Sequence, residues 1–213
     1  MTAKHHPDIA TLGSFAFGAL DKARAFVVAA HVAGCPKCKA LVRGFEETGG
    51  VLLDQAEPAP MTMAAGDKML DIVLHGADSA RRPAQAPLAD VDLATVLSTF
   101  DEGPWTWMGP GVYYKPLTIA PPGEARLFLL KAAPGTSLPE HTHTGTELTL
   151  ILRGAFSHSG GRFAVGDLEE ADDTVEHQPI VDEGDTCICL VAMDGQLKLK
   201  GLMGRLMQPF VRL

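Results

Sequence analysis

No stretch of this 213-residue sequence approaches the roughly 20 consecutive apolar residues that a membrane-spanning helix needs. The opening segment, MTAKHHPDIATLGSFAFGAL, does not contain the uninterrupted apolar core of a signal peptide. A cytoplasmic protein without a membrane partner is therefore expected. Basic residues are scarce and scattered: 18 Lys and Arg stand against 26 Asp and Glu, for a net charge of −8. That excludes direct nucleic-acid binding, which depends on clustered Lys and Arg displacing counterions from phosphates. Cysteine occurs four times, as the close pairs Cys35/Cys38 and Cys187/Cys189. A disulfide framework ties distant segments together, so this spacing fits a reducing compartment and leaves metal or redox chemistry to the first pair. There is no internal repeat and no low-complexity segment. The 46% hydrophobic content excludes a disordered chain, and the length allows one medium domain or two small ones.

The texture of the chain changes once. From Asp21 to Gly49 turn residues are few and Ala, Leu, Val and Phe frequent, which predicts two helices joined near Gly34, with Pro36 suited to a first helical turn. Pro7 can start an earlier helix. A further short helix is predicted over Asp67 to His75, with Met69, Ile72 and Val73 on one side. The Ala- and Pro-rich stretch ADSARRPAQAPLAD, Ala77 to Asp90, carries no apolar periodicity and reads as a linker. From about Trp105 onward, strand-length runs separated by Gly, Pro and Asp follow: ARLFLLKA, ELTLILRG, TCICLVAM and QLKLKGLM. The expected architecture is α + β with two domains, a small helical one in residues 1 to 85 and an all-β one in 91 to 213.

Two groups of residues carry chemistry. The first is HVAGCPKC, with His31, Cys35 and Cys38. A redox dithiol of the thioredoxin kind would follow a strand in a βαβ unit, whereas the preceding ALDKARAFVVAAHV is helical in character. On a helix starting near Cys35, Cys38 lies one turn along and Val42 and Phe45 continue its face. His31 ends the helix before. Three soft or borderline ligands at a helix junction suit tetrahedral zinc. The fourth ligand is His6 or His5 on an N-terminal arm folding back, and His6 is preferred. The alternative is that the cysteines are merely a buried pair of small apolar residues.

The second group is GTSLPEHTHTGTELTLILRG, residues 135 to 154, with the pattern G-x5-H-x-H-x3-E-x6-G. His141, His143 and Glu147 share one parity, so on a β segment broken by a turn at Thr144-Gly145 they face one interior, while Leu148, Leu150 and Leu152 take the other face. Two imidazoles and a carboxylate provide three ligands for a divalent ion, and His177 in GDLEEADDTVEHQP provides another. His75 and His158 are read as ordinary histidines. Cys187 and Cys189 are read as core residues on one face of a strand, and the acidic residues between Glu169 and Glu183 as a solvated face or loop.

Gly135 to Gly154 resembles the first cupin motif, and Gly166 to His177 resembles the second, in which Asp172, Thr174 and Val181 replace the usual Pro, Gly and Asn. His31-x3-Cys35-x2-Cys38 resembles the motif of zinc-containing anti-sigma factors, whose fourth ligand is an upstream histidine. Both motifs, in this order, resemble the ChrR-type anti-sigma factors over nearly the whole chain. The resemblance implies a cupin (jelly-roll) barrel behind the helical domain, zinc in both sites, and no enzymatic activity. It further implies that the helical domain sequesters an extracytoplasmic-function sigma factor and releases it on an oxidative signal, with singlet oxygen expected, sensed through the cupin. The competing reading is a cupin metalloenzyme, a dioxygenase or isomerase, with a zinc-stabilised helical accessory. Such an enzyme does not need the N-terminal zinc motif, and no substrate-directed feature marks it.

Overall fold

The computed structural model describes residues 3–60, 62–75, 104–118 and 125–200. The expected linker, Ala77 to Asp90, the two domain limits near it and the last residues of QLKLKGLM lie outside the described residues. Four helices come first: α1 (Ile9–Ala16), α2 (Lys22–Gly34), α3 (Pro36–Asp54) and α4 (Met63–His75). The Asp21 side chain caps α2 by accepting hydrogen bonds from the amides of Ala23 and Arg24 at 3.0 and 3.2 Å. Cys35, in extended conformation between α2 and α3, makes the corner, and Pro36 begins α3 where a helix has no use for its missing N–H. The chain bends by 117° between the two helices. No single helix among the described residues is long and apolar enough to cross a membrane.

Helix α3 runs five residues beyond Gly49, where a helix end was expected. A Cβ at Gly49 would lie 3.6 Å from the Phe17 ring, so this glycine serves a close approach between helices rather than a stop. Helix α4 starts four residues earlier than predicted because Thr62 caps it, its Oγ1 accepting from the Ala65 amide at 3.2 Å.

Among the described residues the β part holds eleven strands. β1 (Thr106–Gly109), β2 (Val112–Leu117), β3 (Arg126–Ala132), β10 (Cys187–Met193), β5 (Glu147–Arg153) and β8 (Leu168–Ala171) form an antiparallel sheet in that order. β11 (Leu197–Leu199) pairs with β4 (His141–His143), and β7 (Gly161–Ala164), β6 (Ala155–His158) and β9 (Ile180–Val181) form a third sheet. The strands expected from ARLFLLKA, ELTLILRG and TCICLVAM are β3, β5 and β10.

These central strands read as near-continuous apolar runs because the large sheet is covered on both faces. Outward, Leu148, Leu150, Leu190 and Ala192 pack with Val27, Val28 and Val32 of α2 in one core. Inward, Ile151, Cys187, Cys189, Val191 and Met193 join Phe128, Phe156 and Phe163 in a second. Helix α2 thus lies against the outside of the barrel wall. Arg24 of α2 adds an ion pair to Asp194, 3.0 Å away, at the end of β10.

Candidate metal centres

At the α2–α3 corner the chain brings four donors together. His31 occupies the last turn of α2, Cys35 the corner and Cys38 the first turn of α3, and the N-terminal arm delivers His6. The His6 Nδ1 lies 3.4 Å from His31 Nε2, 3.5 Å from Cys35 Sγ and 3.4 Å from Cys38 Sγ. All four donor atoms fall within 4.8 Å of one another. His5 points elsewhere: its ring packs on Phe163 and its Nε2 contacts the Arg162 carbonyl at 3.2 Å. Of the two candidates for a fourth donor, the arm's geometry therefore presents His6.

Burial disfavours charge on two of the four donors. Burial takes His31 down to about 4, against the pull of the Gly166 carbonyl, and pushes the Cys38 thiol up to about 12, aided by the neighbouring Cys35. The His31 Nδ1–H donates to the Gly166 carbonyl at 2.9 Å, which leaves Nε2 as a lone pair facing the cluster. Two sulfurs and two imidazoles at tetrahedral reach fit zinc, whose charge would reverse the burial cost of the thiolates.

Inside the barrel, β4 carries His141 and His143, the bend after it returns the chain to Glu147 at the start of β5, and His177 faces them across an isolated backbone pairing with His141. All three imidazoles are buried, and their donor atoms lie within 4.8 Å of one another. His141 Nδ1 donates to the Pro139 carbonyl at 2.8 Å, and His177 Nδ1 donates to Glu169 Oε1 at 3.0 Å. Both Nε2 atoms are therefore lone pairs, yet they face each other at 2.9 Å. Two lone pairs at that separation repel unless a proton or a cation lies between them. His143 Nε2 stands 3.3 Å from Glu147 Oε2 but off the hydrogen-bonding direction, and neither of its ring nitrogens has a hydrogen-bond partner among the described residues. Orphaned buried nitrogens beside a carboxylate are what an ion-binding set looks like without its ion. Burial would raise the Glu147 pKa, but the close imidazoles of His143 and His141 and the Thr149 hydroxyl, which donates to its Oε1 at 2.8 Å, hold it below the usual carboxylate range.

Two residues of this centre were not anticipated. Glu169 was read as part of a solvated acidic face, and His158 as an ordinary histidine. Glu169 is instead buried at 6% exposure and contacts His158 Nε2 at 2.7 Å as well as His177. Burial works against its ionisation, and the facing imidazoles of His158 and His177 outweigh it, holding the carboxyl at about 2. The alternation of β8 was a readable signal, since Glu169 takes the face opposite to Leu168 and Glu170. Beside the cluster lies a cavity of about 310 Å³, lined by Phe128, Leu130, Leu138, Val191 and Met193, with His141, Glu147, Glu169 and His177 at its polar end. Cys187 and Cys189 also line it with their sulfurs 3.6 Å apart, and both are buried free thiols, as expected of core residues.

Residues 94–197 match the ChrR cupin-like domain family. The chain is 36% identical over 219 residues to the anti-sigma-E factor ChrR of Cereibacter sphaeroides, and the match covers 100% of both proteins. It is also similar to the ChrR chain in the crystal structure of Rhodobacter sphaeroides SigE in complex with the anti-sigma ChrR. That similarity has a TM-score of 0.71 and 35% identity, and it covers 91% of this chain and 100% of the other.

Proposed function

The chain belongs to the ChrR family of anti-sigma factors, and from that premise we propose that it sequesters an extracytoplasmic-function sigma factor with its helical part and releases it when the cupin barrel registers an oxidative signal, singlet oxygen being the one expected. It acts as a regulator and not as an enzyme. The observation that carries the reading is the four-donor cluster of His6, His31, Cys35 and Cys38, which ties the arm, α2 and α3 into one unit. In this reading those four residues hold zinc. His141, His143, Glu147 and His177 hold a divalent ion in the barrel, zinc by the family resemblance. The first ion is a staple for helices too short to make a full core of their own. The second, bound by β4, the start of β5 and the segment at His177, makes the shape of the interior depend on an intact ligand set.

Helix α4 supports the partner assignment. Met69, Leu70, Ile72 and Val73 are 46% to 68% exposed, and Val51, Leu52 and Leu53 at the end of α3 are likewise uncovered. So much uncovered apolar surface on adjoining helices fits a protein partner. In this reading the sigma factor covers it, which keeps the sigma factor from core RNA polymerase. Replacing Met69 and Ile72 together by glutamate is expected to weaken sigma binding by about 2 kcal/mol or more, roughly thirtyfold, as for interface anchors. Zinc content should not change. Calorimetric titration of the double variant checks both, and parent-like affinity would remove α4 from the interface.

The proposal as a whole is tested by co-expressing the chain with extracytoplasmic-function sigma factors and analysing the purified complex for metal. The expected product is a one-to-one complex in which the anti-sigma chain carries zinc in both sites.

A further inference from the structure

We propose that Glu169 is a positioning residue for the barrel ion, and that through β8 it makes the state of that ion felt at the helical zinc cluster. The inference rests on the metal reading of the barrel site and adds to it a route between the two centres.

Five consecutive residues carry the argument. Gly166 adopts φ +89°, a conformation that favours glycine, and turns its carbonyl to the His31 Nδ1–H at 2.9 Å. Asp167 Oδ1 accepts the amides of Lys4 and His5 at 2.6 and 3.1 Å, and the Leu168 amide donates to the His5 carbonyl at 3.2 Å. Glu170 accepts the Asp8 amide at 2.9 Å and the Thr11 hydroxyl at 2.6 Å. Four of the five thus hold the arm that bears His6, or orient His31 itself.

The fifth residue, Glu169, faces the barrel. Its Oε1 receives the His177 Nδ1–H in line at 3.0 Å, and His158 Nε2 lies obliquely against the same oxygen at 2.7 Å. His158 Nδ1 accepts the Gly160 amide at 3.0 Å, so its proton resides on Nε2, close to the carboxylate but off the hydrogen-bonding direction. The side chains of His158, Glu169 and His177 are 5%, 7% and 1% exposed, so water cannot substitute for any of these contacts. Glu169 consequently fixes which nitrogen His177 offers to the ion, the role that carboxylates play behind metal-bound imidazoles. Loss of the ion, or damage to His143 that releases it, leaves His177 and His141 with opposed lone pairs. The strain relaxes through Glu169 into β8, which is paired with β5 along one edge and meets the arm along the other, and from there into the turn at Gly166 that holds His31. Such a route earns the word coupling only if both ends respond.

The test uses the full-length zinc-loaded chain. Zinc affinity of the barrel site is measured by chelator competition, and hydrogen exchange of the Lys4, His5 and Asp8 amides is followed in the parent, His143→Ala, Glu169→Gln and the double variant. Glu169→Gln is expected to weaken barrel zinc by about 10- to 100-fold. His143→Ala, which empties the barrel site, should accelerate exchange of the three amides by about tenfold in the parent background and by less than about twofold in the Glu169→Gln background. Parent-like zinc affinity in Glu169→Gln overturns the positioning role. Equal exchange in the parent and His143→Ala overturns the coupling. Barrel zinc retained by His143→Ala overturns the metal reading, and the coupling with it. Should Glu169→Gln fail to fold, His158→Gln replaces it: it spares the His177 bond and should lower barrel affinity by a smaller factor, and no loss at all would count against the relay.

Discussion

Replacing Cys35 or Cys38 by serine is expected to remove one zinc equivalent from the chain and to abolish inhibition of the sigma factor. Cys38 is wholly buried and Cys35 is 4% exposed, so a serine hydroxyl would meet neither water nor an ion that it binds well. The four donors come from the arm, the end of α2, the corner and the start of α3, and the angle between the two helices is set where they meet. Structural zinc contributes about 10–16 kcal/mol in peptide-sized sites, which matches or exceeds the whole stability of an ordinary domain, about 5–15 kcal/mol. Loss of the ion should therefore free α1 and α3 from α2, although α2 itself stays anchored on the sheet by Val27, Val28 and Val32. Metal analysis of the purified variants, with a sigma-dependent reporter beside it, checks both halves. Unchanged zinc content in both variants would sink the assignment.

The second large effect is a loss of response rather than of inhibition. His141→Ala or Glu147→Ala should leave the sigma factor silent in unstressed cells, because the helical part does that work. The same variants should fail to release it under a singlet-oxygen source. The physical basis is that His141 and Glu147 lie on either side of the bend between β4 and β5 and, with His177, which pairs with His141 through the backbone, share the barrel interior. Removing either breaks the ligand set but not the outer face of β5, whose Leu148 and Leu150 hold α2. Reporter output with and without the source distinguishes this from a cupin enzyme, whose variants would lose a turnover with no change in transcription. Parent-like release from a chain whose barrel is shown to be empty would remove the ion from the sensor.

Much of this was legible in the sequence, for reasons particular residues make plain. His141, His143 and Glu147 obey a period of two across one bend, and His31, Cys35 and Cys38 fall on one side of a helix corner that Pro36 announces. Local spacing decides such groups. Glu169 and His158 escaped because no motif spacing joins them: Glu169 meets His177 from β8, His158 meets Glu169 from β6, and the neighbouring Asp167 and Glu170 find their partners in the distant arm at residues 4–11. In GDLEEA three carboxylates look alike, and only the strand's alternation, combined with what packs on each side, gives them three different tasks. The close packing of α2 on the sheet was hidden for the same kind of reason. Val27 and Val28 read simply as helix core, and nothing near them in sequence says that the core's other half is Leu148, Leu190 and Ala192.

The central claim is that the helical part silences a sigma factor by itself and that the barrel governs its release. Transcription in a purified system tests it most directly, with core RNA polymerase, the extracytoplasmic-function sigma factor recovered by co-expression, and either the full chain or residues 1 to 85. Because the fragment uncovers Val27 and Val28, it is prepared as a complex with the sigma factor rather than alone. The account predicts that both complexes are transcriptionally silent and that only the one with the full chain becomes active after exposure to singlet oxygen. Active transcription from the fragment complex, with its zinc in place and the sigma factor still bound, would contradict it.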